Sequence, residues 1–298
     1  MSANYGVMMI SPRPPPASRH RRQRVPAGEV RAKMLTAARD LVLASGVTVS
    51  LEDLSLEDLS LEDVIRHAGV ARSSVYRIWP YKGDFVDDLL CHMAGPDWFG
   101  AAAFDQDTID LALKVAADHE QMLGTPGGRR AVALEAARQA VLRYFRAIVT
   151  SREWQIYIAL VATARSARDD QARARIGEAL GGSQAAFITR MAEFYQLMAE
   201  GLGLRLRSPA YSYTHVAAAA AALIEGLALR QILAEAQRGN PGSRAHQHPN
   251  FDLEQLISSP LPGPGIDGKA AVWSLAALAF NGILDTFVEP DPNYSPAS

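Results

Sequence analysis

The side chains best suited to recognition chemistry in this 298-residue chain lie between Ser60 and Leu90. A short helix is predicted to begin near Arg72 and to end before Pro80, because proline disfavours helix in the residue before it. Its outward face would carry arginine, serine and tyrosine side chains. Arginine neutralises phosphates, and a helix can present polar side chains to base edges. These residue types therefore indicate nucleic-acid binding.

Two short helices are predicted to position this face. Ser60 and Asp63 have the capping-box spacing that begins a helix, and the apolar residues after Ser60 recur with helical period. Gly69 is expected to end that helix and to supply the turn. In the second helix Val75 and Trp79 lie four residues apart and face inward. Two short helices joined by a glycine turn, the second with a basic outer face, predict a helix-turn-helix.

The segment AGVARSSVYRIWPYKGDF resembles the DNA-binding signature of the TetR family of transcriptional regulators. The matching residues are Ala68, Gly69, Val70, Tyr76, Trp79, Pro80 and Lys82. The chain differs at three positions, with Ser73 where glycine is common, Ile78 where histidine is common and Gly83 where an acid is common. The resemblance covers only this part of the chain, where order, spacing and flanking helices all agree.

The resemblance implies an all-α fold, in which a three-helix helix-turn-helix DNA-binding head precedes a larger helical body for ligand binding and dimerisation. It implies a ligand-responsive regulator, expected to be a repressor, that binds a near-palindromic operator as a homodimer. The implied partners are double-stranded DNA, a second copy of the chain and a small apolar effector. No cofactor is expected, and neither a catalytic nor a metal site.

The same resemblance assigns roles to individual residues. Arg72 and Ser73 would contact base edges or adjacent phosphates, and Arg77 could do either. Tyr76, Tyr81 and Lys82 would position the DNA backbone. The predicted DNA-binding residues are Arg72, Ser73, Ser74, Tyr76, Arg77, Tyr81 and Lys82.

The predicted organisation has three parts: a disordered basic arm over residues 1–27, the DNA-binding domain over 28–94 and the effector-binding and dimerisation domain over 95–298. The formal net charge is only -2, yet arginines crowd the first part of the chain. The arm is either a solvated tail or a segment that binds DNA phosphates or the minor groove.

Between the first two predicted helices the chain repeats five residues, as SLEDL, SLEDL and SLEDV from Ser50 to Val64. Only the last copy is needed to begin the second helix. The two extra copies are interpreted as a neutral tandem duplication, with a role in partner binding as the alternative. Their carboxylates would repel phosphate if they lay near DNA.

The body is predicted to contain helices only, because no run of alternating β-branched residues indicates a sheet. One segment, 169–201, is predicted as one helix or as two broken at Gly181 and Gly182. The last helix is predicted over 269–288, after a Gly/Pro-rich connection over 238–267 that could hold a short helix at DLEQLI.

Aromatic and methionine side chains on body helices are the predicted lining of a small-molecule pocket. An ordinary helical core has the same composition, so both interpretations stand. The candidate pocket residues are Trp154, Tyr157, Phe187, Met191 and Phe194, with Tyr195 and Met198 beside them.

The helices predicted near 213–237 and 269–288 are apolar around most of their circumference. A helix that is apolar on every side must be buried on every side. The alanines from Ala217 to Ala222 would allow close approach of another helix. We therefore expect these two helices to form a dimer interface, with a monomer core as the alternative.

Enzyme chemistry has little support in the sequence. Glycine-rich phosphate loops, CxxC and HExxH are missing, and His246 and His248 in a Pro/Gly-rich loop are weak metal ligands. The single cysteine, Cys91, fits a reducing cytoplasm, as a buried inert thiol or a redox switch. No membrane association is expected. The alternatives to a regulator are a helical small-molecule-binding or interaction protein whose head no longer reads DNA, and a helical enzyme.

Overall fold

The protein is mostly helical, with only a few short strands, which confirms the predicted all-α character. The computed structural model describes residues 26–44, 59–95, 105–164, 170–238 and 253–295. Outside the described residues lie residues 1–25 of the arm predicted over 1–27, the two extra repeat copies up to Asp58, the chain from 96 to 104, and the histidines His246 and His248.

The first four helices pack together around α1. They are α1 (Ala27–Ala44), α2 (Leu61–Ala68), α3 (Arg72–Ile78) and α4 (Lys82–Met93). Helix α1 contacts each of the other three, and it buries Val30, Met34 and Ala38 as its apolar period predicts. Helix α4 also packs on the long helix α8, so the four helices and the rest of the chain meet there.

The remaining helices form a layered bundle. They are α5 (Gln106–Asp118), a 3₁₀ turn (Glu120–Met122), α6 (Pro126–Thr150), α7 (Arg152–Ala164), α8 (Asp170–Gly201), α9 (Tyr213–Arg238), α10 (Leu253–Ser258) and α11 (Leu275–Phe287). Helix α6 packs against α5, α9 and α11, while α9 packs against α6, α8, α10 and α11. The short helix predicted at DLEQLI is present as α10.

The expectation that the chain contains no β-structure is wrong. Strands β1 (Leu204–Leu206) and β4 (Val288–Pro290) pair antiparallel, and so do β2 (Leu261–Pro264) and β3 (Ala270–Trp273). The strands have only three or four residues, too few for an alternating pattern to be visible. The β2–β3 hairpin is held by Trp273, whose indole Nε1 donates to the carbonyl of Pro264 at 3.0 Å.

One predicted helix boundary needs correction, and the choice between one helix and two over 169–201 is resolved in favour of one. The last helix begins at Leu275 rather than near 269, because Ser274 caps it by accepting from the amide of Ala277 at 3.2 Å. Helix α8 continues without a break through Gly181 and Gly182. Glycine weakens a helix by about 1 kcal/mol relative to alanine, and the packing of α8 on α4, α7 and α9 compensates for it.

Candidate functional site

The turn between α2 and α3 has the geometry that its sequence predicts. Ser60 caps α2, its hydroxyl accepting from the amide of Asp63 at 3.3 Å. Gly69 ends α2 with φ of 63°, a left-handed conformation that glycine adopts without strain. Val75 and Trp79 are buried. The outward face of α3 is thereby fixed by the apolar residues behind it.

This face of α3 is open to solvent. Arg72, Ser73, Tyr76 and Arg77 are exposed, and Ser74 is half-buried. The next two predicted residues lie at the start of α4: Tyr81 is its N-cap and Lys82 its first residue. Both are exposed, Tyr81 to 75%. The structure thus brings all seven predicted DNA-binding residues onto α3 and the beginning of α4.

A carboxylate on α2 ties two of these side chains together. Glu62 Oε1 accepts from the guanidinium of Arg72 at 2.8 Å and from the hydroxyl of Tyr76 at 3.1 Å. The Arg72 guanidinium also lies 5.6 Å from the centre of the Tyr76 ring, a cation–π distance. Glu62 is not among the residues predicted for this site, although its position in the last repeat copy places it on α2 opposite α3.

Asp88 connects these helices to the rest of the protein. Its Oδ2 accepts from the indole Nε1 of Trp79 at 2.7 Å and lies 2.9 Å from Arg31 of α1. Its Oδ1 lies 3.5 Å from Arg175 of α8, which also approaches Asp87 at 3.5 Å. One carboxylate on α4 therefore links α1, the end of α3 and α8.

The thiol of Cys91 lies on the same helix and is half-buried. Burial raises its pKa above the ordinary value. A raised pKa lowers the fraction of reactive thiolate at neutral pH. This favours the inert thiol over the redox switch.

An apolar cavity of about 90 Å³, partly open to solvent, lies between helices of the bundle. Helices α5, α6, α8, α9 and α11 and the strands β1 and β4 contribute to its walls. Hydroxyl groups come from Thr108, Tyr144, Tyr195 and Tyr213, and all other lining side chains are apolar. The Thr108 hydroxyl already bonds to Asp105 at 2.6 Å. The cavity therefore suits an apolar ligand.

The predicted pocket residues divide into two groups. Phe194, Tyr195 and Met198 line the cavity. The other four are buried in the main core cluster and do not line it: Trp154, Tyr157, Phe187 and Met191. Their contact with a ligand stays a prediction. The cavity residues that the sequence analysis missed are mostly small or aliphatic and carry no distinguishing signal.

A chain of polar side chains joins α7, α8 and α9. The Tyr157 hydroxyl donates to Gln184 Oε1 at 3.0 Å, and the Gln184 side chain hydrogen-bonds Glu225 of α9. Glu225 Oε1 is buried and has no hydrogen-bond partner within the described part of the chain. Burial raises the pKa of Glu225 to about 7. It also raises the pKa of Tyr144, a cavity residue, and the charge of Glu225 adds to that shift.

We expect Glu225 to make the stability of the protein fall as pH rises. Because its pKa is 4.5 ordinarily and about 7 in the folded protein, the folded state holds the proton more tightly. This contribution to the free energy of unfolding is fully present below pH 4.5. It decreases as pH rises and is lost as pH passes through about 7. At 1.36 kcal/mol per pKa unit, the rise from 4.5 to about 7 amounts to roughly 3–4 kcal/mol.

Denaturation with urea across this pH range measures the effect. Wild type should lose stability relative to Glu225→Gln as pH rises, since other titrating groups are common to both proteins. The control is Glu235→Gln, an exposed glutamate on the same helix. If the free energy of unfolding changes with pH in the same way in wild type and in Glu225→Gln, the pKa of Glu225 is not raised in the folded protein.

The outer face of α9 is apolar and solvent-exposed in the single chain. Leu229 is 39% and Leu233 52% exposed, and Ala218 and Ala222 are exposed on the same stripe. Leu256 on the adjoining α10 is 51% exposed. This stripe is the apolar surface that the sequence analysis expected a second subunit to cover.

Within the described residues, one helix segment, Tyr213–Glu235, is long and apolar enough to cross a membrane. Core helices of soluble proteins meet the same criterion, so the chain is compatible with a soluble protein. Among the residues whose placement is described, no group of three or more His, Cys, Asp or Glu side chains could hold a metal ion.

Comparisons of the chain with protein-family models, with curated proteins and with solved structures find no match.

Proposed function

We propose that the protein is a ligand-responsive DNA-binding transcriptional regulator of the TetR type, acting in the cytoplasm as a homodimer on a near-palindromic operator. Repression by steric occupation of the operator is the expected mode. Helices α1–α3 form the helix-turn-helix head and α4 connects it to the body. The observation that carries the proposal is the solvent-exposed face of α3 and the start of α4, where seven residues suited to phosphate and base contacts converge.

The roles of these residues follow from their positions. Arg72 and Ser73 lie in the first turn of α3 and would reach base edges or adjacent phosphates. Lys82 lies in the first turn of α4, where the helix dipole also favours a phosphate. Tyr76 and Tyr81 would orient the DNA backbone through their hydroxyl groups.

The apolar cavity is the proposed effector site. The contacts of Asp88 with α1, Trp79 and α8 are the proposed mechanical link between that site and the head. An effector releases DNA only if it binds the DNA-free conformation better than the DNA-bound one. Helix α8 contributes Phe194, Tyr195 and Met198 to the cavity and Arg175 to the pair with Asp88. A ligand that shifts α8 would therefore alter the contact with α4.

Arg72→Ala should weaken operator binding by about 1–3 kcal/mol if Arg72 holds a base edge, and it should relax sequence preference at that position. Arg190→Ala, an exposed arginine on α8, is the matched control. Fluorescence anisotropy with the DNA upstream of the protein's own gene gives both affinities. Equal affinities for wild type and Arg72→Ala would remove Arg72 from the interface.

Glu62→Gln should tighten binding to DNA. The carboxylate competes with phosphate for Arg72 and repels the DNA backbone, whereas glutamine keeps the shape and carries no charge. The gain should be largest at low salt, where the Debye length is long. An affinity that falls instead would show that Glu62 holds Arg72 in its DNA-binding conformation.

The second candidate function is a small-molecule-binding protein whose head does not read DNA. The cavity is compatible with either function. The observation that favours the second one is the carboxylate of Glu62, which lies beside Arg72 and would repel phosphate. Salt-sensitive, sequence-preferring DNA binding separates the two functions, because only the regulator requires it.

A further inference from the structure

The size and the charge of the apolar cavity restrict what it can hold. Among the described residues that line it, none has a charged side chain. An ion that entered would lose its hydration and find no partner, which is costly. The volume of about 90 Å³ is smaller than the cavity of about 150 Å³ that encloses benzene, and one side is open to solvent. The cavity therefore suits a neutral molecule with one ring, part of which lies in the opening.

Three aromatic side chains lie next to one another in the cavity wall. The ring centroid of Tyr195 lies 6.0 Å from that of Phe194 and 5.8 Å from that of Phe280, in tilted arrangements. All three residues line the cavity. Aromatic rings attract one another at such separations and angles. An aromatic ring in the cavity can pack beside these three in the same way.

Tyr195 also brings a hydroxyl group to this wall. Within the described part of the chain, that hydroxyl has no hydrogen-bond partner. Burial raises the pKa of Tyr195, so the hydroxyl keeps its proton at neutral pH and can donate. A buried polar group without a partner costs free energy, and a ligand oxygen that hydrogen-bonds to it removes that cost. The Thr108 hydroxyl is less suitable, because it already donates to Asp105.

We propose that the cavity binds a neutral aromatic molecule with a single ring and one hydroxyl or carbonyl oxygen, and that the Tyr195 hydroxyl hydrogen-bonds to this oxygen. The proposal rests on the proposed function, since it names the ligand class of the effector site. It requires the cavity to bind this class of molecule and does not require the head to bind DNA.

Four probes test the ligand class by calorimetric titration of the 298-residue protein. Phenol has the ring and the oxygen, toluene has nearly the same size and lacks the oxygen, benzoate has the ring with a charge, and 2-naphthol has a second ring. Phenol should bind with a dissociation constant below about 1 mM, and benzoate should not bind at the same concentrations. 2-Naphthol should gain little over phenol, whereas burial of its second ring would increase affinity at least about tenfold.

Tyr195→Phe tests the hydrogen bond, because it removes the hydroxyl and keeps the ring. Phenol binding should weaken by about three- to tenfold, the usual contribution of a neutral hydrogen bond. Toluene binding should change by less than about twofold, since toluene makes no such bond. The matched control is Tyr213→Phe, the same substitution at another tyrosine of the cavity wall. It should leave the affinity for phenol unchanged.

Several outcomes would overturn the proposal. Failure of phenol to bind wild type, or equal binding of benzoate, rejects the ligand class, and this holds even if Tyr195→Phe does not fold. A 2-naphthol affinity far above that of phenol rejects the limit to one ring. Tyr195 is rejected as the anchor if Tyr195→Phe changes phenol and toluene affinities equally, or if Tyr213→Phe loses more phenol affinity than Tyr195→Phe.

Operator binding by the same proteins is measured separately, with and without phenol. A protein that binds phenol as described and does not bind DNA would reject the regulator and retain the ligand class. Sequence-preferring DNA binding by a protein that does not bind phenol would reject the ligand class and retain the regulator.

Discussion

Ala222→Arg is expected to convert a dimeric protein into a monomer. Ala222 lies on the exposed outer stripe of α9, between Ala218 and Leu229. In an interface related by two-fold symmetry, the substitution would bury two unpaired guanidinium groups against apolar side chains of the partner. The energy is several kcal/mol, and at about 1.4 kcal/mol per factor of ten the dimer should weaken at least 100-fold.

Sedimentation velocity over a concentration series measures this effect. The matched control is Ala117→Arg, the same substitution at an exposed alanine of α5. It should leave the dimer intact. A dimer that survives Ala222→Arg would show that the outer face of α9 is not the interface, and a wild-type monomer at micromolar concentration would reject dimerisation altogether.

Trp79→Ala should produce the largest loss of stability in the α1–α4 region. The ring is 2% exposed, packs edge-on against Phe85 at a centroid distance of 5.1 Å and donates to Asp88. Truncating a buried tryptophan costs about 3–5 kcal/mol. The change should also abolish DNA binding, because Trp79 and Val75 together fix the orientation of the α3 face.

Trp79→Phe is a milder change, since phenylalanine keeps an aromatic ring but lacks the indole donor and part of the buried volume. We expect a smaller loss of stability than in Trp79→Ala, of which the hydrogen bond to Asp88 accounts for about 1–3 kcal/mol. Hydrogen exchange of α3, compared with that of α6, reports whether the loss is local. Unchanged exchange in Trp79→Ala would contradict the packing described for α3.

The sequence predicts the α1–α4 region well because the signals there are local. Ser60 as cap, Gly69 as turn, and Val75 and Trp79 as the inward pair each depend on residues a few positions away. All four occur where the pattern places them. The outward face of α3 follows from the inward one by helical geometry.

Features that depend on distant contacts were missed. Strands β1 and β4 are separated by more than 80 residues in the chain and have three residues each, so no local pattern indicates their pairing. The cavity consists mainly of alanine and aliphatic side chains from five helices. Such residues look like any core, and only tertiary packing determines whether they enclose space.

Polar contacts between helices are a further kind of feature that the sequence does not predict. Glu62 on α2 meets Arg72 and Tyr76, and Asp88 on α4 meets residues of α1 and α8. The sequence places each residue on an exposed or half-exposed helix face, and the angle between helices decides which charges meet. The same reasoning applies to Glu225, an ordinary helix residue by pattern, whose partner Gln184 lies on another helix.

Selection of duplexes from a random DNA library tests the central claim most directly. The purified protein should enrich a near-palindromic site with two half-sites, and its affinity for that site should fall steeply with salt as Lys and Arg side chains release counterions. Arg72→Ala should lose the enriched bases while Arg190→Ala keeps them. Recovery of unrelated sequences, with binding that is weak and independent of sequence, would contradict the account.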